Sequence, residues 1–551
     1  MPLHTMPPRS MSQRLLIIGL DGYEASIADT LISRGKMPHL ERLQTQSARL
    51  QLDHGAFKRT GLAWQHFSTG QAPDKSGIWS AVNFDPKSYN ARQLAGAPIP
   101  FLEQAGSRAV VIDAPYFDLR KTENVRGFVN WGAHDPGVEA FSRPAHLLEE
   151  IGYRFGDYPA QEDIYGFVWP DAARTADAAS RLTRSLDLRT DITAWMLSDK
   201  MPDWDVALTV VSELHSAIEP FWHGFDETHP LHDLPSGAVA REGLESIYIA
   251  LDRMIGRMTE LYPDAAILLF SMHGMGANDA DAPSMILLPE FMYRLQFGKP
   301  LFQAPAHWAH ARNGVPLLAT NERWESSIFQ ILKRHRPLGS RIMRKAGRVG
   351  QALGRVMSGQ PTDEDARAEF GLDWMPSSYY RPHWPQMRAF ALPSYYDGRI
   401  RLNVAGREAR GMVDPVEYEA ECARIERELL QLTDPRTGEA VVEEIMRTSP
   451  GDPSGVPDSD GDIVVIWRGD ALGFNHPNMS GIGPVPYRRT GGHTGGHGEF
   501  MLRGDNINAG EHGIASAFDV APTIEDWLGV DTPASLSGQS VMSRFKVSAD
   551  A

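Results

Sequence analysis

Cysteine is almost missing from this sequence: Cys422 is the single one in 551 residues. That excludes an intrachain disulfide and any cysteine-rich zinc site. Long apolar runs near the start are missing too. The opening MPLHTMPPRSMSQR is polar, and the run LLIIGL that follows has six residues, too short for a signal h-region or a membrane span. A cytoplasmic protein without stable membrane insertion is the resulting expectation. Positive charge is in deficit, with 54 Lys and Arg against 70 Asp and Glu and a net charge of -16. Such a surface repels phosphate backbones, so nucleic acid is not an expected partner. A small anionic substrate remains compatible, because a metal site inverts the field locally. Internal repeats and low-complexity segments are absent.

What is present reads as a large α/β protein. Hydrophobic residues at 42% and charged residues at 23% fit a globular chain, and the length exceeds what one compact core needs. The run Leu15–Leu20 ends in Asp21-Gly22, as a buried parallel strand followed by a loop would. Similar runs recur at Ala109–Ile112, Val206–Val211, Ala265–Phe270 and Ile463–Trp467. Helical patterns fall between several of them, at Pro144–Ile151, Ala176–Leu197 and Gly243–Leu261, and later at Pro415–Leu432 and Pro522–Leu528. Alternation of this kind predicts a mostly parallel sheet, with ligands bound beyond the carboxyl ends of its strands. Those ends carry Asp21, Asp113, Ser212 to His215, and Ser271 to His273.

Residues 291–385 break the pattern. They are rich in Arg, Pro and His, with a basic stretch from Lys333 to Arg355 in which Ile342, Ala346, Val349, Leu353 and Val356 recur at helical spacing. The segment reads as an inserted cap, flanked by a discontinuous core over 14–290 and 386–545.

Four stretches together resemble the type I phosphodiesterase and nucleotide pyrophosphatase branch of the alkaline phosphatase superfamily. They are LLIIGLDGYEASIADTLISRGKMPHLERL, RTGLAWQHFSTGQAPDKSGIW, YDGRIRLNVAGREARGMVDPVEY and FDVAPTIEDWLGV. The matching regions are 14–80, 205–276 and 395–540. The resemblance implies an alkaline-phosphatase-like α/β/α sandwich, with a central mostly parallel sheet and the inserted cap. It also implies a divalent metal centre, usually of two zinc ions. Carried over, Asp21 matches an aspartate ligand and Thr60 the nucleophile, which also contacts metal. In SELHSAIEPFWH the ligand positions hold His215 and Glu219, where the family has an aspartate and a histidine; His223 continues that face. The family's Asp-His-Gly is Met272-His273-Gly274, and the last histidine is best matched by His493, with His497 as competitor. A thioether is a poor ligand for zinc or magnesium, so one tight ion and one weak or absent ion are expected.

The activity implied is hydrolysis of phosphate esters, phosphodiesters foremost, with Thr60 attacking phosphorus. Lys58 and Arg59 stand beside it as candidate contacts for an anionic substrate. A second reading is a mononuclear iron or manganese enzyme of another reaction type, since two His and one Glu also form the facial arrangement of non-haem iron sites. A third is a binding protein that keeps the scaffold. The oligomeric state is left open, a homodimer included.

Overall fold

The computed structural model describes residues 13–94, 98–309, 311, 314–319, 322–334 and 372–545. Thirteen strands carry the architecture. Nine form one sheet: β1 (Leu15–Leu20), β2 (Ala48–Asp53), β3 (Ala109–Ile112), β4 (Val125–Val129), β5 (Phe141–Arg143), β6 (Val206–Val211), β7 (Ala266–Phe270), β12 (Gly498–Arg503) and β13 (Gly510–Ser516). Their order is β13-β2-β12-β7-β1-β6-β3-β4-β5. β1 pairs in parallel with both β6 and β7, and β3 with β6 and β4, while β12 and the edge strand β5 run against their neighbours.

Period-two alternation divides the central strands between two cores. Leu16, Ile18 and Leu20 face one layer, built from α1 (Ala172–Trp195), α2 (Glu213–Phe225) and α3 (Pro235–Leu261). Leu15 and Ile17 face the other, where Val520, Ala521 and Ile524 of a C-terminal helix pack with Trp64 and Phe67. The result is the expected α/β/α sandwich. Long apolar strands follow from burial on both faces, since neither face meets water.

One apolar run belongs elsewhere. Ile463–Trp467, read above with the parallel strands, is β11 of a separate antiparallel sheet with β8 (Ala389–Leu392), β9 (Gly398–Leu402) and β10 (Val442–Arg447), in the order β8-β9-β11-β10. An apolar run reports burial, and burial does not specify which sheet does the burying. This sheet shares a core with Trp324, Ile328 and Leu332 of the helix Trp324–Arg334, and with the face Tyr418, Cys422, Ile425 and Leu429 of α4 (Tyr418–Leu429). The described part of 291–385 therefore packs on β8–β11. The helical spacing over 342–356 lies outside the described residues. Among the described residues no helix is long and apolar enough to cross a membrane.

Candidate active site

Three connections deliver side chains to the carboxyl end of the sheet. Asp21 follows β1 directly. The next residue, Gly22, has φ 74°, and a Cβ there would meet His215 Cα at 2.4 Å. Only glycine allows this approach, and it sets Asp21 Oδ1 3.0 Å from His215 Nδ1, which donates to it. α2 starts two residues after β6, so His215 and Glu219 stand one turn apart on one face, with Nε2 3.3 Å from Oε1. β7 ends at Phe270 and leads to Met272 and His273. His273 Nδ1 pairs with the Gly274 carbonyl at 2.9 Å, which leaves Nε2 as the lone-pair nitrogen.

His493 closes the group from the glycine loop before β12. Its Nε2 is 3.1 Å from His215 Nε2 and its Nδ1 3.2 Å from His273 Nε2. The loop lies so close to α2 that a Cβ on Gly491 would meet the Ile218 carbonyl at 2.3 Å. Asp21, Met272, His215, His273 and His493 all line one cavity. His497 is exposed and faces His273 only through a backbone bridge. His223 is spent elsewhere, 3.3 Å from Ser236 Oγ.

Thr60 ends the turn Gly55–Thr60. Its hydroxyl donates to the Phe57 carbonyl at 2.8 Å and accepts from Leu62 N at 3.2 Å. Lys58 and Gly61, on either side of it, line the cavity, whose lining does not include Thr60 itself.

Two residues of the site were not read from the sequence. His134, in the loop after β4, stacks on His215 with ring centroids 3.8 Å apart, places Nδ1 3.2 Å from Ser216 Oγ and Nε2 3.6 Å from Glu219 Oε2. His134, His215 and Glu219 offer ligand atoms all within 4.8 Å of one another. The available signal was a His-Asp pair just past an apolar strand, the same placement that marked Asp21. Arg489 is the other, with Nη1 in close contact with Glu219 Oε1.

Burial and charge set the protonation pattern. Burial lowers His134 to about 3 and His273 to about 4, and holds His493 well below the usual range. His215 is opposed by the same burial, yet Asp21 and Glu219 push it up to about 10. Burial would raise Glu219, but Arg489, His134 and His215 hold it well below the ordinary carboxylate range. The site is thus a set of neutral imidazoles around an ionised carboxylate, with one imidazolium between Asp21 and Glu219.

These donors suit a divalent ion. Around a tetrahedral ion with bonds of about 2.0–2.1 Å, donor atoms stand roughly 3.3 Å apart. His215 Nε2 stands 3.1 Å from His493 Nε2 and 3.3 Å from Glu219 Oε1, and the mutually close donor set among the described residues is His134, His215 and Glu219. Asp21 Oδ2, Glu219 Oε2 and His134 Nε2 are buried and have no hydrogen-bond partner. The half of the cavity holding Asp21, Met272 and His273 has a single carboxylate and is the poorer cation host.

The sequence model described as type I phosphodiesterase / nucleotide pyrophosphatase matches residues 15–336, more than half of the chain. A mutant of the alkaline phosphatase PafA superimposes with a TM-score of 0.53 at 12% identity, over 98% of this chain and 100% of that one. Human ectonucleotide pyrophosphatase/phosphodiesterase 5 gives 0.48 at 9%, over 97% and 98%. Phosphonoacetate hydrolase from Sinorhizobium meliloti gives 0.44 at 14%, over 94% and 96%. No curated protein matches the sequence. With the α/β/α sandwich shared and the family's sequence model matched across β1 to α3 and beyond, the chain belongs to the type I phosphodiesterase/nucleotide pyrophosphatase family of the alkaline phosphatase superfamily.

Proposed function

We propose that the protein is a metal-dependent hydrolase of phosphate esters, acting on small anionic phosphodiesters with Thr60 as nucleophile. The observation that carries the reading is His215 at the strand ends of a chain of this family, its Nε2 3.1 Å from His493 Nε2 and 3.3 Å from Glu219 Oε1. His215, Glu219 and His493 would hold one ion, zinc being the expected element, with Asp21 and His273 on the weaker side. Bound there, the ion supplies positive charge to the phosphoryl oxygens and lowers the pKa of a hydroxyl or water beside it.

The remaining work falls to the chain. Thr60 Oγ must exchange its bond to the Phe57 carbonyl for an in-line approach to phosphorus, a rotation about χ1. Attack forms the Oγ–P bond and breaks the bond from phosphorus to the leaving oxygen, which departs as an alkoxide and takes up, through water, the proton lost by the threonine hydroxyl. A second water then cleaves the phosphothreonine and restores the hydroxyl. Glu219, kept ionised by Arg489, fixes the His215 ring from one side while Asp21 fixes it from the other. Thr60→Ala should abolish turnover of bis(p-nitrophenyl) phosphate; wild-type activity in that variant excludes the nucleophile role.

The cluster His134, His215 and Glu219 favours one competing reading, a mononuclear iron or manganese site of two imidazoles and a carboxylate. Metal content of protein purified without chelators separates the two. Iron near one per chain supports the competitor, and zinc supports the hydrolase.

A further inference from the structure

The cavity holds a cation that the hydrolytic scheme leaves without a task. Lys58 lies two residues before Thr60 and lines the cavity with Asp21, Met272, His273 and His493. Its Nζ donates one hydrogen bond, of 2.8 Å, to the carbonyl of Gly495 in the loop that carries His493. Among the described residues no carboxylate forms an ion pair with it; Asp53 and Asp279 act on it from farther away. An ammonium carries three donors, so the Gly495 carbonyl uses one of them. A half-buried ammonium without a counter-ion is costly unless a ligand completes it.

The surroundings favour an anionic ligand. Met272, a neutral thioether, lines the same cavity as Lys58. The adjacent Arg59 lines a different small cavity, with Asp279, so Lys58 is the cation of its turn that lines the Asp21 cavity.

We propose that Lys58 is the substrate-binding cation of this site: its ammonium receives a non-bridging oxygen of the phosphoryl group, while its bond to Gly495 keeps the Thr60 turn in register with the His493 loop. The inference rests on the phosphoester reading and adds to it a fixed unit charge. A phosphodiester monoanion, with two equivalent oxygens sharing one charge, fits an ammonium on one oxygen and the imidazole-carboxylate centre on the other.

The test uses the full-length, zinc-loaded protein as wild type, Lys58→Met, Lys58→Gln and Lys58→Arg. Inorganic phosphate binding is measured by calorimetry, zinc content in parallel, and KM and kcat on bis(p-nitrophenyl) phosphate. The Met and Gln variants should keep their zinc and bind phosphate about tenfold to a hundredfold more weakly, the loss expected for one charge-assisted hydrogen bond. The Arg variant should recover part of that loss. Wild-type phosphate affinity in both neutral variants overturns the assignment and leaves the phosphoester reading standing. Loss of zinc from both neutral variants also overturns it, since a strut for the His493 loop then explains the lysine. A wild type that neither binds phosphate nor cleaves the diester overturns both readings.

Discussion

Replacing Arg189 by methionine should cost several kcal/mol of stability although Arg189 does not line the cavity. Arg189 is 1% exposed and lies between two carboxylates, Asp113 and Glu213, that are both fully buried. Its Nε contacts Glu213 at 2.9 and 3.0 Å, and Nη2 stands 3.0 Å from Asp113 Oδ2. Methionine fills much of the space but leaves both carboxylates without their cation. Removing one partner from a buried ion pair costs about 3–5 kcal/mol. Asp113 keeps two backbone donors, Trp131 N and Gly132 N at 2.8 Å, so Glu213 carries most of the loss. A loss of about 4 kcal/mol is a large part of the roughly 5–15 kcal/mol that holds a protein folded. Urea unfolding followed by circular dichroism measures it. The double variant Arg189→Met/Glu213→Leu removes the stranded charge and should recover at least half. A loss under about 1 kcal/mol in the single variant, in the range of an exposed pair, would refute the reasoning. The network also matters to the site: Asp113 pins the loop leading to His134, and Glu213 opens the helix that carries His215 and Glu219.

Other consequences are equally measurable. On the proposed metal-dependent reading, His493→Ala should lower the metal content of purified protein while His497→Ala leaves it unchanged, as mass spectrometry of the metal would show. Equal loss from both would undo the choice of His493. Glu525 is buried with neither oxygen partnered, and burial pushes its pKa up to about 7. Its folded-state pKa exceeds the unfolded value of about 4.3, so its stabilising proton is fully kept below that value and lost as pH rises through 7. The loss amounts to about 4 kcal/mol. Glu525→Gln should therefore flatten the pH dependence of urea unfolding between about pH 5 and 8 and exceed wild type in stability at the upper end. Parallel profiles for the two proteins would contradict this.

The strands β1, β3, β6 and β7 were legible because burial on both faces demands uninterrupted apolar runs, and their polar ends then marked the site. α1 begins at Ala172 and α3 at Pro235, earlier than the periodicity over 176–197 and 243–261 predicts, since their first turns carry Ala, Arg, Ser and Gly rather than an apolar stripe. Ile463–Trp467 was placed in the wrong sheet because its partners, residues 398–402 and 442–447, are recognisable only by pairing. Asp21, His215, Glu219, His273 and His493 came together as their positions implied. His134 and Arg489 owe their importance to Glu219, 85 and 270 residues away; the His-Asp pair after β4 is the one local hint, and Arg489 has none. Arg488-Arg489 reads from the sequence as an ordinary basic pair.

Arg489 changes what kind of metal centre the chain can make. Glu219 is buried deeply enough that burial alone would favour its neutral form, and a neutral carboxyl would have to lose a proton before it could bind a cation. The guanidinium removes that obstacle by keeping Glu219 ionised, at the expense of sharing Oε1 with any incoming ion; Oε2, buried and unpartnered 3.6 Å from His134 Nε2, is then the oxygen left open. The proton to be displaced sits on His215 instead, between Asp21 and Glu219. Asp21 fixes Nδ1–H, so the proton that leaves is the one on Nε2, the nitrogen facing His493. Two departures from the family pattern, a histidine where an aspartate is expected at 215 and a glutamate where a histidine is expected at 219, therefore meet in one contact, with Arg489 beside the glutamate. Glu219, fully buried, has its compensating cation in Arg489, which reaches it from the loop before β12.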